Sequence, residues 1–256
     1  MYLLFTLGVA MIVSQIAVFS TTIYLHRTMA HYALTLHPSM AWVFRCFLWI
    51  TTGQKTREWV AVHRKHHTFV DREGDPHSPI LEGFWSIQLG NVVHYARALK
   101  DKNILIKYTP DIKEDIWDKW FFNYGLLGVS LGTVILCALL GLGWGLLAAG
   151  VHVFTYVFLL SSSVNGLCHY KGYRNFFNTA TNLRFVALIT AGEGLHNNHH
   201  GFAHSPKFSC RASEFDPAWP IIKLLKMLGL ARNVKKTSSE QGLRFRRIRR
   251  SMLPRP

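Results

Sequence analysis

The sequence predicts an all-α integral membrane protein with about three transmembrane helices, interfacial helices and a helical cytoplasmic cap. Two observations carry that prediction. The first is the distribution of charge. No Asp, Glu, Lys or Arg occurs from Trp120 to Tyr170, and none from Met1 to Leu25. A bilayer span needs about 20 predominantly apolar residues, so the longer block holds two spans with a turn and the shorter holds one. The second is a histidine pattern at i, i+3 and i+4, found at His63, His66 and His67 and again at His196, His199 and His200. On a helix those positions share one face. Two such clusters among fourteen histidines are not explained by packing.

Residues 1–256 read as a single membrane domain, with spans at about 3–25, 121–140 and 146–168 and a basic tail at about 232–256. The first block has neither the basic start nor the small-residue cleavage site of a secretory signal, so it is read as a retained span. It runs into His26-Arg27-Thr28-Met29-Ala30-His31, and the basic segment that follows marks the cytoplasmic side. Residues 34–53 are apolar but contain Pro38 and Arg45. A charge at mid-membrane costs about 2.5–3.5 kcal/mol on the lenient insertion scale. That segment is therefore expected at the interface or against the cytoplasmic domain.

The next helix, after Thr56-Arg57-Glu58-Trp59, carries His63–His67, and the turn-rich loop Asp71–Pro79 follows it. Residues 81–100 read as an amphipathic helix. The uncharged block divides near Gly141 to Gly145, where a tight turn is preferred over a small-xxx-small contact. Residues 183–190 read as a short apolar helix, and Pro220 opens an amphipathic one suited to a lipid surface.

The net charge is +15, from 29 Lys and Arg against 14 Asp and Glu. No nucleic-acid motif accompanies it, and the basic residues flank apolar runs, which favours anionic lipid over nucleic acid as the partner. Cys46, Cys137, Cys168 and Cys210 show no CxxC spacing, as expected of free thiols in a reducing compartment or the bilayer.

Nine histidines fall into four groups, His26 and His31; His63, His66 and His67; His169; His196, His199 and His200. The span assignment puts all four groups at one membrane face. One ion takes about four to six ligands, so nine imidazoles imply two ions. A structural zinc would be closed by four ligands, usually with cysteine, and calcium or magnesium would want oxygen. A nitrogen-ligated pair beside a bilayer points to redox-active iron, which can activate O₂ against an inert C–H bond. His37, His94, His152 and His204 read as packed or interfacial residues, and His77 lies nearer the site. Glu58 and Glu193 are placed to hydrogen-bond ligand imidazoles. A divalent-metal transporter would carry its ligands near the midplane, where the spans hold only His152.

The segments HRTMAH, VHRKHH and GLHNNHH resemble the three histidine boxes of the membrane fatty acyl desaturases of the stearoyl-CoA type, with the spacings HxxxxH, HxxHH and HxxHH. Asp75-Pro76-His77 after the second box, Asn165-xxx-His169, and Gly192-Glu193-Gly194 before the third extend the likeness over most of residues 20–230. The resemblance implies a di-iron site held by the nine histidines, with Asn165 acting through a water. It implies O₂ as co-substrate and a saturated fatty acyl chain, CoA- or lipid-linked, that gains a cis double bond, commonly at delta-9. The electrons would come from a separate ferredoxin- or cytochrome-type protein with its reductase. A bacterial-like member would sit in the inner membrane with its site on the cytoplasmic face. Trp59 looks like the tryptophan at the bend of the acyl tunnel in the animal enzymes.

Three positions depart from those animal enzymes. This chain has room for one span before the first box rather than two. Ala61 and Val62 stand where they carry an Arg-Asp pair that contacts the CoA-linked substrate, and Ser161 and Ser162 replace a Thr-Trp pair. The histidines are untouched, so the departures bear on headgroup and regiochemistry. Outside desaturases, the alternatives are a membrane di-iron hydroxylase of alkanes, sterols or carotenoids, and the transporter.

Overall fold

The computed structural model describes residues 1–237, so most of the basic tail lies outside the described residues. α1 (Tyr2–Ser20) continues through a π-wound segment, Thr21–Ala30, as one 29-residue rod. β1 (Thr35–Leu36) pairs antiparallel with β2 (Ala231–Arg232), a two-stranded exception to the all-α expectation. α2 (Pro38–Thr51) starts with proline at its first position, where the missing N–H costs nothing. The His37 ring accepts a hydrogen bond from the Ser39 N–H there. α3 (Thr56–Phe69) carries the second box.

The helix expected over 81–100 is two, α4 (Pro79–Glu82) and α5 (Phe84–Ala98), broken at Gly83, whose φ of +88° suits glycine. α6 (Ile104–Tyr108) packs on α3, burying Ala61 and Val62 with Ala98 and Ile104. Two of the residues that depart from the animal pattern, Ala61 and Val62, are thus core contacts.

The second apolar segment was expected to start at 121. It starts at Gly125, because Asp118–Phe122 form a separate π-wound turn, and α7 (Gly125–Leu140) is 16 residues long. Arg45 holds that turn, with a guanidinium nitrogen 2.6 Å from Asp115 and another 2.7 Å from Asp118. Gly141, at φ +84°, joins α7 to α8 (Leu142–Phe154). Gly145 also lies against the backbone of Cys137, so this stretch is both a turn and a close helix contact. α8 runs through π-wound Thr155–Ser161 and Ser163–Leu167 into α9 (Cys168–Tyr170), one helix from Leu142 to Tyr170. Among the described residues, this helix and Tyr2–Ala30 are long and apolar enough to cross a membrane, and α7 is apolar but shorter.

α2, expected at the interface or against the cytoplasmic domain, packs against α1 and α7. Gly128 and Gly132 of α7 sit beneath the carbonyls of Trp49 and Ile50, where any Cβ would collide. Glycine permits that approach, and the ion pairs with Asp115 and Asp118 counter the Arg45 charge. α10 (Arg184–Ile189) matches the expected short helix; α11 (His196–Gly201) carries the third box, and α12 (Ala218–Met227) starts two residues ahead of Pro220. The main core lies where α1 meets α2, the π-wound part of α8, and α12, around Ile23, Leu25, Leu48, Leu160 and Ile222.

Candidate metal centre

Helix winding explains the first box. At about 100° per residue, an α-helix puts positions five apart about 140° from each other. In Thr21–Ala30 the backbone instead bonds i to i+5, and the His31 N–H continues that pattern to the His26 carbonyl at 3.1 Å. The two rings come to 4.9 Å between centroids. α3 aims its three imidazoles the same way, α9 adds His169, and α11 brings the third box over them.

The nine rings form two groups. His26, His31, His63, His67 and His199 make a pentad; His66, His169, His196 and His200 make a tetrad. Each group's candidate ligand atoms lie within 4.8 Å of one another. The Nε2 atoms of His31 and His63 are 2.8 Å apart, those of His67 and His199 2.9 Å, and those of His26 and His199 3.0 Å. In the tetrad, His200 Nε2 is 3.1 Å from that of His196 and 3.3 Å from that of His66. His67 stacks on His200 at 4.4 Å, joining the groups.

Carboxylates hold the outer nitrogens. Glu193 accepts from His26 Nδ1 at 2.7 Å and from the Thr22 hydroxyl. Asp75 accepts from His66 Nδ1 at 3.0 Å, and Asp71 from His169 Nδ1 at 2.9 Å. An imidazole that donates through Nδ1 carries its lone pair on Nε2. Converging lone pairs about 3 Å apart repel unless a cation lies between them, and His169 Nε2 is buried without a hydrogen-bond partner. Burial, reinforced by neighbouring imidazoles, holds His31, His63, His67, His196, His199 and His200 well below the usual histidine pKa. They are neutral at pH 7, the form a metal needs. The donor set fits two nitrogen-preferring ions.

Other expected site residues fall as follows. Glu58 is paired with Lys55 at 2.8 Å instead of with an imidazole, because the i, i+3 lysine is nearer than any ring nitrogen. Trp59 stacks on His63 at 4.8 Å. His77 stacks on His66 at 4.6 Å, and its backbone N–H donates to Asp75; burial and the adjacent His66 push its pKa down to about 3. Asn165 stands outside both groups, with its Nδ2 donating to Asn91 Oδ1 at 3.1 Å.

Several residues that shape the site were not singled out by sequence reasoning. Asp71 is one; its only signal was a second aspartate four residues before Asp75. Asn197 and Asn198, between the third-box histidines, face away from the rings. Asn197 binds the Asn175 and Phe176 N–H groups, and Asn198 bonds Asn175, Asn182 and Glu214. Arg27, in the first box, is fully buried and pairs with both oxygens of Asp216, at 2.9 and 3.0 Å.

A cavity of about 370 Å³ leads from the rings of His26, His63 and His196 past Trp59. It continues between Val157, Leu160 and Val164 of the α8 rod and reaches His152, Val153 and Val129. Its wall is mostly apolar by area, and some of its polar groups pair, Thr21 with Tyr156 at 2.8 Å.

The family model described as fatty acid desaturase matches residues 2–223. The sn-1 stearoyl-lipid 9-desaturase of Synechocystis sp. is 33% identical over 218 residues, covering 84% of this chain and 66% of that protein. The Acyl-CoA C20 Delta5-desaturase of Anemone leveillei is 34% identical over 85% of this chain and 70% of its own. The Delta-9 acyl-lipid desaturase 1 of Arabidopsis thaliana is 31% identical over 95% and 79%. This chain therefore spans about two thirds of the cyanobacterial relative's length, 66%. On the family match and on these relatives, the chain belongs to the fatty acid desaturase family.

Proposed function

We propose that this protein desaturates a saturated fatty acyl chain with O₂, inserting a cis double bond at the delta-9 position. The observation that carries the reading is a pentad and a tetrad of imidazoles opening onto one mostly apolar cavity. Two iron ions on the nine histidines would supply the activation of O₂ and the oxidising power that an unactivated methylene pair demands. In balance, CH₂–CH₂, O₂, two electrons and two protons give CH=CH and two waters.

The chain's own groups do the rest. Glu193, Asp71 and Asp75 fix the tautomer and aim of His26, His169 and His66. Trp59, stacked on His63, turns the acyl chain where it passes the rings. Val157, Leu160 and Val164 hold the chain beyond the bend and exclude water. Asn165 would act through a water, from the cavity wall it shares with His196. The relatives include acyl-lipid and acyl-CoA enzymes by name, and the substrate is CoA- or lipid-linked.

The topology that accompanies this reading has three spans, at about 3–25, 121–140 and 146–168; the first and last fall in the helices Tyr2–Ala30 and Leu142–Tyr170, long and apolar enough to cross a membrane, and the middle one around the shorter apolar helix Gly125–Leu140. They would lie in a bacterial inner membrane with the imidazoles on the cytoplasmic face. A separate ferredoxin- or cytochrome-type protein and its reductase supply the electrons. The test is fatty acid profiling, with double bonds mapped, in a host expressing the chain together with such a donor. A new cis-monounsaturated acid, absent with His199→Ala, is expected; a hydroxylated product would instead make the protein a hydroxylase.

A further inference from the structure

The electron donor needs a landing site, and the tip of the α1 rod offers one. His31, a pentad member, ends the rod, and the last carbonyls of a helix have no partner within it. The exposed His204 meets one of them, its Nδ1 donating to the His31 carbonyl at 2.7 Å. Its ring lies 6.3 Å from the His31 ring. His204 therefore couples solvent to the pentad through one hydrogen bond and one ring contact.

The rim around it is basic. Lys207 follows three residues on, and the Lys235 N–H donates to the carbonyl of Ala33, two residues past His31. Arg232 pairs across the strand with Thr35. Lys235 and Arg232 are exposed, and Lys207 is half-buried. Among the described residues, the acids near this rim, Asp111 and Asp216, are already matched. Asp111 is taken by Arg64 and the Tyr32 hydroxyl, and Asp216 by Arg27. This face therefore has positive charge left for a partner. It also lies beyond the end of the rod that points out of the bilayer in the proposed topology, where a soluble protein can reach it.

We propose that His204 is the electron entry point and that Lys207, Arg232 and Lys235 seat an acidic one-electron carrier protein over it. The inference rests on the desaturase reading. Each of two reduced carriers gives up one electron and leaves oxidised; the electrons and two protons from solvent enter the balance written above. Charge complementarity of this kind sets encounter rate and salt dependence.

The test uses the full-length, iron-loaded protein in detergent and a plant-type [2Fe–2S] ferredoxin of net negative charge as probe. The dissociation constant is measured from low to high salt for the wild type, Lys207→Glu/Lys235→Glu and His204→Phe. The double variant is expected to weaken ferredoxin binding about tenfold or more at low salt and to flatten the salt dependence. His204→Phe is expected to leave binding unchanged while slowing oxidation of pre-reduced ferredoxin about tenfold, with dithionite-driven turnover retained. Unchanged binding in the double variant would overturn the docking face. So would a loss of affinity for anionic phospholipid vesicles in place of ferredoxin. Unslowed ferredoxin oxidation in His204→Phe would overturn the entry point. If the wild type forms no unsaturated product even with dithionite, the desaturase reading fails instead, and the two failures are told apart.

Discussion

Asp71 Oδ2 lies 2.9 Å from His169 Nδ1, joining the loop after the second box to the end of the last long helix across 98 positions of sequence. The contact holds the imidazole with its lone pair directed into the tetrad. The adjacent His169 also keeps the Asp71 carboxyl below the ordinary carboxylate range, against its own burial.

Asp71→Asn should therefore weaken metal retention in the tetrad more than in the pentad. Removing a carboxylate behind a ligand histidine typically costs 10- to 100-fold in affinity, and about that loss is expected here. Iron content after dialysis against a graded chelator measures it. Retention equal to the wild type would mean that Asp71 only shapes the loop.

Arg27 and Asp216 are both fully buried and tie the first box to the segment leading into α12. Arg27→Met strands the carboxylate and should destabilise the protein by about 3–5 kcal/mol, read from denaturant unfolding in detergent. The paired change Arg27→Met/Asp216→Leu should recover much of that loss, because it leaves neither charge buried alone. A double variant no better than Arg27→Met would locate the loss in packing against Phe208, whose ring lies 3.8 Å beneath the guanidinium.

Val157 lines the cavity about three helical turns before His169. Val157→Trp should fill space beyond the bend and move the product distribution toward shorter acyl chains in the profiling assay. The cost in stability should stay within about 1–3 kcal/mol, because part of the added volume enters the cavity. An unchanged chain-length profile would place the acyl chain elsewhere.

The metal-free protein should lose stability as pH falls. Six site histidines have folded pKa values well below the ordinary value, so below pH about 6.5 the unfolded chain binds more protons than the folded one. Stability is then full above pH about 6.5 and declines as the pH drops toward the folded values. Iron binding should fall in the same direction, because protons compete for the same lone pairs. Unfolding midpoints of the metal-free protein between pH 8 and pH 5 check the slope. Replacing His63 and His199 by Ala should make it shallower.

The sequence by itself determined the helical rods and the nine histidines. Long uncharged stretches leave helix as the structure that satisfies the backbone, and the i, i+3, i+4 spacing puts a box on one face whatever the helix packs against. Glu193 was legible because it lies three residues before the third box, and Asp75 through the likeness of Asp75-Pro76-His77 to the desaturase pattern. Only the tertiary structure decided how the histidines divide. His66 and His67 are neighbours in α3 yet enter different groups, because consecutive helical positions diverge by about 100° and each meets a different partner. The docking of α2 on the glycines of α7, the π winding behind HxxxxH, Asp71 and the asparagine cage behind α11 belong to that same class. Each depends on where distant segments come to rest, and no local periodicity encodes that.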